Sequence, residues 1–328
     1  MKIYTFGAED APVLLLLPGT CCHWKSNFGA VIPLLADSFR VLCVSYDGFD
    51  ETEQTEFPTM LEETKKIEAY LKNHCGGHIR AAYGCSLGGS FVGLLAARQN
   101  IHMDCGILGS SDLDQASPLT ASLQTDFLLP LIYPVVRDGK IKAKFLQKRL
   151  DKCAKESGDY VKAFLKMFGD ARPYVTMQSC KNQFYSDLIT PLPDKIHVPG
   201  TEIHIFYVLK MGAKYRARYQ QHFAHPVLHE QNLQHEELLG CYPERWAGGT
   251  HAPPEYFCGF GPPRTCLPAA APPHDFHQSG SMNPWERNPA GWMGRFRAGG
   301  RTNGGNNFQS PCRNPALQSV PNHNPCAI

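Results

Sequence analysis

The stretch Gly84-Cys85-Ser86-Leu87-Gly88 decides the fold of this chain. It follows a strand-like run at residues 78–83 and precedes a helix-compatible run at residues 89–98. A G-x-S-x-G sequence between a strand and a helix is typical of a nucleophile elbow, a sharp turn that exposes the serine hydroxyl. The two glycines leave room for the neighbouring strand and helix. Ser86 is therefore the predicted nucleophile.

Further apolar runs have the composition of strands that are buried on both faces of a parallel sheet. They span residues 12–17, 40–46, 103–109 and 202–208. Helical patterns lie between them, most clearly at residues 60–73, and the amino-terminal residues predict a first strand. Alternating strands and helices predict an α/β fold with a mostly parallel, doubly wound sheet.

The chain resembles the α/β-hydrolase superfamily, with serine esterases and lipases among its members. The matching segments are Leu-Pro-Gly-Thr at 17–20, Tyr-Asp-Gly at 46–48, the elbow at 84–88 and His-Glu-Glu at 235–237. The resemblance covers residues 1–246 and is closest to small, uncharacterised bacterial hydrolases. It implies the fold and a serine nucleophile, but it does not identify a substrate.

The helical pattern between the predicted strands divides the chain. We expect a hydrolase core at residues 1–113 and 201–246, with a helical cap inserted at residues 114–200. The apolar faces of the cap, which include Phe127 and Phe164, could cover the active site and bind an apolar acyl group. They could instead serve only to pack the cap onto the core.

Residues 247–328 differ in composition from the rest of the chain. No lysine follows Lys214, and half of the 26 prolines lie in this segment. Such a sequence cannot bury enough apolar surface to offset its chain entropy. We expect either a disordered tail or the product of a shifted reading frame, and the abrupt change inside a predicted helix favours the latter.

The predicted base is His235, because it follows a predicted last strand at residues 226–230. Its rivals His222, His225 and His229 lie within or before that strand. The chain order serine, acid, histidine is expected in this fold.

The acid is harder to place. No Asp or Glu occurs between Glu202 and Glu230, where the acid usually lies. Asp112, at the end of the 103–109 strand, is the preferred candidate, with Asp114 as the alternative. Asp112 could equally cap the first cap helix. Glu236 is expected to point away on the following helix.

The oxyanion donors are expected to be the main-chain N–H of Leu87 and that of Thr20 or Cys21. His23 and Trp24 follow in the chain. They could border the substrate pocket or simply pack over the loop.

Composition and charge give little information on binding partners. A net charge of +2, with 19% charged residues, gives no argument for binding nucleic acid or an anionic membrane. The N-terminus lacks a signal-peptide pattern, and the run at 13–17 is too short to span a membrane. Thirteen cysteines without a C-x-x-C pair favour reduced thiols in a cytoplasm. No metal and no organic cofactor is expected.

The predicted activity is therefore a cytoplasmic serine hydrolase that cleaves an ester, a thioester or a related acyl bond. Acyl transfer or C–C hydrolysis at the same site is one alternative, and a non-catalytic ligand-binding protein is another. The sequence leaves the oligomeric state open.

Overall fold

The structure is a computed structural model that describes residues 1–248. The disordered or frameshifted tail expected at residues 247–328 lies outside the described residues from residue 249 onwards.

A seven-stranded sheet forms the centre of the molecule, in the order β1-β3-β2-β4-β5-β6-β7. Strand β1 pairs antiparallel with β3, and every other pairing is parallel. This confirms the predicted α/β fold. The strands are β1 (Lys2–Phe6), β2 (Val13–Leu17), β3 (Arg40–Ser45), β4 (His78–Cys85), β5 (His102–Gly109), β6 (Glu202–Val208) and β7 (Val227–Gln231).

Both faces of the sheet are covered, as the continuous apolar strands require. In β2, Leu14 and Leu16 pack into the core on one face, whereas Leu15 and Leu17 pack into the core on the other. All four side chains are fully buried. Successive strand residues point to opposite faces, so a strand that is apolar at every position fits only a sheet with helices on both sides.

Short helices α1 (Trp24–Phe28) and α2 (Ile32–Leu35) pack on one face, and α3 (Met60–Cys75) and α4 (Leu87–Arg98) pack on the other. Thr59 caps the start of α3, because its hydroxyl accepts from the N–H of Glu62, and Gly76 follows the last residue of the helix in the left-handed conformation. Both are ordinary helix boundaries.

Four helices separate β5 from β6, where the sequence predicts a cap: α5 (Pro118–Asp138), α6 (Lys144–Glu156), α7 (Tyr160–Lys166) and α8 (Met177–Ile189). Helix α8 is tied to the core, because its Ser179 and Ser186 hydroxyls accept from the N–H groups of Phe57 and Met60 at 3.2 Å each. Phe127 does not fulfil the expected covering role. Its side chain is 69% exposed on α5.

Helix α5 is the one helix among residues 1–248 that is long and apolar enough to cross a membrane. Length and composition alone are weak evidence for a span, since a helix of a water-soluble fold can meet the same criterion. Here α5 packs against α8.

After β6, helix α9 (Ala213–His222) leads to β7, and two short helices follow, α10 (Glu237–Cys241) and α11 (Pro243–Trp246). The sequence predicts one helix here. Pro243 divides it, because proline lacks the N–H that would continue α10 and is well suited to begin α11. Trp246 is buried with its ring edge-on to Tyr83 at 4.7 Å.

Candidate active site

Ser86 lies at the sharp turn between β4 and α4. Its backbone angles, φ 50° and ψ −112°, are strained for a residue with a side chain. A Cβ atom on Gly84 would lie 2.0 Å from the backbone of Gly88, and one on Gly88 would lie 2.1 Å from the carbonyl oxygen of Leu17. Only glycine therefore fits at either position, so the sequence pattern and the turn geometry agree.

Two of the predicted oxyanion donors have free main-chain N–H groups. Leu87 is the first residue of α4, where an N–H has no partner within the helix. Within residues 1–248, neither the N–H of Leu87 nor that of Thr20 donates a hydrogen bond. The N–H of Cys21 differs, because it donates to Oε1 of Gln183 on α8 at 2.7 Å. Geometry thus favours Thr20 over Cys21 as a donor.

Asn27 ties the loop that carries Thr20 to the elbow. The N–H of Gly19 donates to Oδ1 of Asn27 at 2.9 Å, and Nδ2 of Asn27 donates to the Cys85 sulfur at 3.3 Å. Burial raises the pKa of the Cys22 and Cys85 thiols. These cysteines are therefore uncharged packing groups rather than nucleophiles.

His235 lies in the loop between β7 and α10 and is half-buried. Desolvation lowers the pKa of its imidazole to about 4. The ring is therefore neutral at physiological pH and can accept a proton. No hydrogen bond joins it to a carboxylate within the described part of the chain.

Asp112 and Asp114 are engaged elsewhere. Oδ1 of Asp112 accepts from the N–H of Asp114 at 3.2 Å, and Asp114 pairs with Arg218 at 2.6 Å. Burial raises the pKa of the Asp112 carboxyl. The contact made by Asp112 is local turn capping, so its assignment as the orienting acid stays a prediction without a supporting hydrogen bond.

Glu236 is the residue that sequence reasoning missed. Instead of pointing away, its buried carboxylate lies against the elbow, where Oε1 accepts from the N–H of Ser86 at 3.0 Å. Oε2 accepts from the Tyr83 hydroxyl at 3.1 Å. Glu236 precedes α10 and has a positive φ of 55°. Its side chain therefore does not point in the direction that a residue within the helix would have. No signal in the local sequence gives this backbone conformation.

His23 and Trp24 are held by their own contacts. Nε2 of His23 lies 2.8 Å from a carboxylate oxygen of Glu51, and its Nδ1 accepts from the N–H of Lys25 at the start of α1. Trp24 stacks on Tyr4 at 4.5 Å between ring centroids. These contacts agree with the alternative that both side chains pack over the loop. A role for them in binding substrate stays a prediction.

One cluster of side chains could hold a metal ion, among the residues that the structure describes. It consists of His78, His102 and Asp104, whose ligand atoms lie within 4.8 Å of one another. They start β4 and β5, at the end of the sheet opposite Ser86. Asp104 already pairs with His78 at 2.7 Å and Arg80 at 3.0 Å. This cluster is therefore a surface ion-pair group and not part of the candidate site.

Comparison with known proteins places the fold. A family model for the alpha/beta hydrolase fold matches residues 12–149, which include the Thr20 loop, the elbow and Asp112. The chain belongs to the α/β-hydrolase superfamily. A comparison with curated protein sequences gives no match.

Solved structures of α/β hydrolases share this architecture at low sequence identity. One is an alpha/beta hydrolase family protein from Desulfitobacterium hafniense, with a TM-score of 0.61, 18% identity and coverage of 75% of this chain and 97% of the other. A thermophilic esterase from Thermogutta terrifontis has a TM-score of 0.55 and 18% identity, with coverage of 75% of this chain and 89% of the other. The enol-lactonase from Burkholderia xenovorans has a TM-score of 0.51 and 17% identity, with coverage of 72% of this chain and 90% of the other. Identities this low establish the fold alone.

The candidate residues of this α/β hydrolase gather at one end of the sheet. Thr20 follows β2, Ser86 follows β4 and His235 follows β7, all at the carboxyl ends of parallel strands. Open α/β sheets bind their ligands at this end. The fold therefore places the candidate nucleophile, oxyanion donor and base at the same end of the sheet.

Proposed function

We propose that the protein is a serine hydrolase that cleaves a carboxylic ester, a thioester or a related acyl bond through an acyl-enzyme on Ser86. The observation that carries the proposal is the strained Ser86 turn, together with the N–H groups of Leu87 and Thr20, which donate no hydrogen bond among residues 1–248. A strained serine between a strand and a helix is built to present its hydroxyl. Free main-chain donors serve a developing oxyanion.

The reaction follows from the roles of these groups. His235, neutral because of its burial, takes the hydroxyl proton as Ser86 attacks the acyl carbon. The N–H groups of Leu87 and Thr20 donate to the oxygen that becomes negative. The imidazolium then gives its proton to the leaving group, and water repeats the sequence to release the acid.

We propose a serine–histidine dyad as the working form of the site. Asp112 caps the N–H of Asp114, and Asp114 pairs with Arg218, so neither carboxylate is hydrogen-bonded to His235. The low pKa of His235 agrees with this, because a carboxylate partner would favour the imidazolium and raise that pKa. A dyad is expected to be slower than a complete triad.

The substrate that we propose is a small molecule with an apolar acyl group, and the location that we propose is the cytoplasm. Apolar side chains between β5 and β6 that pack in the hydrophobic core, such as Phe164 and Phe168, support the first proposal. Eight of the nine cysteines among the residues that the structure describes have free thiols, six of them buried, and these support the second; the ninth, Cys153, is disulfide-bonded.

The alternatives are acyl transfer or C–C hydrolysis at Ser86 and a ligand-binding protein without catalysis. Among residues 1–248 no carboxylate is hydrogen-bonded to His235, and this observation favours the last of these. Burst kinetics with a series of p-nitrophenyl esters separates catalysis from binding. A burst that is stoichiometric with the protein and absent in Ser86→Ala supports an acyl-enzyme. Release at the rate of the buffer alone supports a binding protein.

A further inference from the structure

We propose that Glu236 is a positioning residue that holds the Ser86 turn and the His235 loop in a fixed relation. The proposal deepens the proposed function and rests on it, since it assigns Glu236 a part in acyl transfer between Ser86 and a substrate. Glu236 acts through these two residues and needs no contact with the substrate itself.

The side chain of Glu236 holds the elbow. Its Oε1 accepts from the N–H of Ser86 at 3.0 Å, and its Oε2 accepts from the Tyr83 hydroxyl at 3.1 Å. The same Ser86 N–H also approaches the carbonyl oxygen of Gly109 at 2.8 Å. One carboxylate thus contacts β4 and the strained residue that follows it. Strained conformations persist only where the surrounding structure fixes them.

The main chain of Glu236 holds the histidine. Its N–H donates to Oγ of Ser110, which follows β5, at 3.1 Å. This N–H belongs to the peptide that joins His235 to Glu236, so the bond fixes the orientation of that peptide. Ser110 and Glu236 both have positive φ, 45° and 55°. The carbonyl oxygen of Glu236 accepts from the N–H of Gly240 and so starts α10.

Space for this cluster is created by a glycine. A Cβ on Gly109 would lie 2.0 Å from the Tyr83 hydroxyl oxygen and 3.1 Å from Oε1 of Glu236. The ends of β4 and β5 and the loop after β7 are therefore shaped around the buried carboxylate. A glutamate that merely filled space would not need two donors directed at its oxygens.

The contacts of the two oxygens suit an ionised carboxylate. Both neighbours donate to it, and an ionised carboxylate accepts from both. Glutamine can accept from the N–H of Ser86, but its NH₂ group would then donate to the Tyr83 hydroxyl, which reverses that hydrogen bond. Burial raises the pKa of Glu236 to about 7, so the accepting form is lost just below neutral pH.

Other titratable groups surround this carboxylate, and each must be considered in a pH profile. The groups are Tyr83 and Cys85 on β4, Cys22 in the loop after β2, Tyr160 on α7, Tyr219 on α9, and His235 and Glu237 beside it in the chain. Burial raises the pKa of all the named tyrosines and cysteines, and it lowers that of His235 to about 4. Glu63, whose pKa is also raised to about 7, is present in both wild type and Glu236→Gln, so an activity change near pH 7 that is lost in Glu236→Gln is assigned to Glu236.

The test measures kcat and KM for an activated ester from about pH 5 to pH 9, in wild type and Glu236→Gln. Glu68→Gln is the matched control, because Glu68 is also buried but pairs with Arg98 and Asn100 away from Ser86. We expect Glu236→Gln to lower kcat by about 10- to 100-fold with KM within about twofold, since small displacements of reacting groups have such effects. The rise of kcat/KM through about pH 7 should disappear. Glu68→Gln should keep both the rate and the profile.

Two further variants keep the proposal testable if Glu236→Gln fails to fold. Tyr83→Phe removes the donor to Oε2, and Ser110→Ala removes the acceptor of the Glu236 N–H. Each variant should lower kcat at least about fivefold. The loss should be smaller than in Glu236→Gln, because each variant keeps the contact between Glu236 and the Ser86 N–H. Unchanged kcat and an unchanged pH profile in the folded variants would overturn the proposal. Failure of the proposed function is a different result, because wild type itself would then not react with a fluorophosphonate.

Discussion

The substitution Glu236→Gln should gain stability relative to wild type as the pH rises from about 4 to about 8.5, although most substitutions of buried residues destabilise. Burial moves the pKa of Glu236 from its ordinary value of 4.5 to about 7. At about 1.4 kcal/mol per pKa unit, ionised Glu236 is about 3 kcal/mol less favourable in the folded protein than in the unfolded chain. Glutamine has nearly the same shape and does not ionise.

The sign of the pH dependence follows from linkage. The folded protein binds the Glu236 proton more tightly than the unfolded chain does, so stability falls as pH rises between about 4.5 and about 7. Below this window Glu236 is protonated in both states, and above it Glu236 is ionised in both. Glutamine removes this pH dependence. The buried Glu63, whose pKa is also raised to about 7, titrates equally in both proteins and cancels in the difference.

The assay is urea and thermal unfolding of wild type, Glu236→Gln and Glu68→Gln at about pH 4 and about pH 8.5. The free energy of unfolding of Glu236→Gln relative to wild type should grow by about 3 kcal/mol between the two pH values. That corresponds to roughly 6–12 °C in Tm for a domain of this size. A difference that does not change with pH would refute the reasoning, because the burial of an ionisable carboxylate would then not be its basis.

Three further predictions concern the turn, the acid and the oxyanion loop. Gly88→Ala should lower the free energy of unfolding by about 1–3 kcal/mol and remove activity, since its Cβ meets the Leu17 carbonyl oxygen at 2.1 Å; Gly158→Ala, with open space around it, is the control in thermal unfolding. Asp112→Asn should change kcat less than about tenfold in steady-state assays, whereas a loss near 10⁴ would restore the triad. Gln183→Leu leaves the buried Cys21 N–H without an acceptor and should lower the free energy of unfolding by about 1–3 kcal/mol in urea titrations; an unchanged value would contradict this.

Much of the fold could be predicted because its signals are local. The buried strands are continuous apolar runs, and β6 begins and ends at the residues that the sequence indicates. The elbow could be predicted for the same reason. A Cβ on Gly84 would meet the backbone of Gly88, only four residues along the chain, and a Cβ on Gly88 would meet Leu17 of the adjacent β2. The fold class and the superfamily are thus confirmed.

The rest of the site depends on contacts between distant segments. Glu236 meets Ser86 across 150 positions of the chain, and Gln183 meets Cys21 across 162. No periodicity records such pairs. The positive φ of Glu236 also cannot be read from a sequence in which helix formers follow it. Phe127 was expected to face the core because it is apolar, yet α5 leaves it in solvent.

The central claim is that Ser86 is an activated nucleophile, and mass spectrometry of the intact protein after reaction with a fluorophosphonate tests it most directly. The expected result is a single adduct on wild type, located at Ser86 by peptide mapping, with none on Ser86→Ala and much slower formation on His235→Ala. Equal labelling of wild type and a folded Ser86→Ala would contradict the claim, as would a folded wild type that remains unlabelled at high probe concentration.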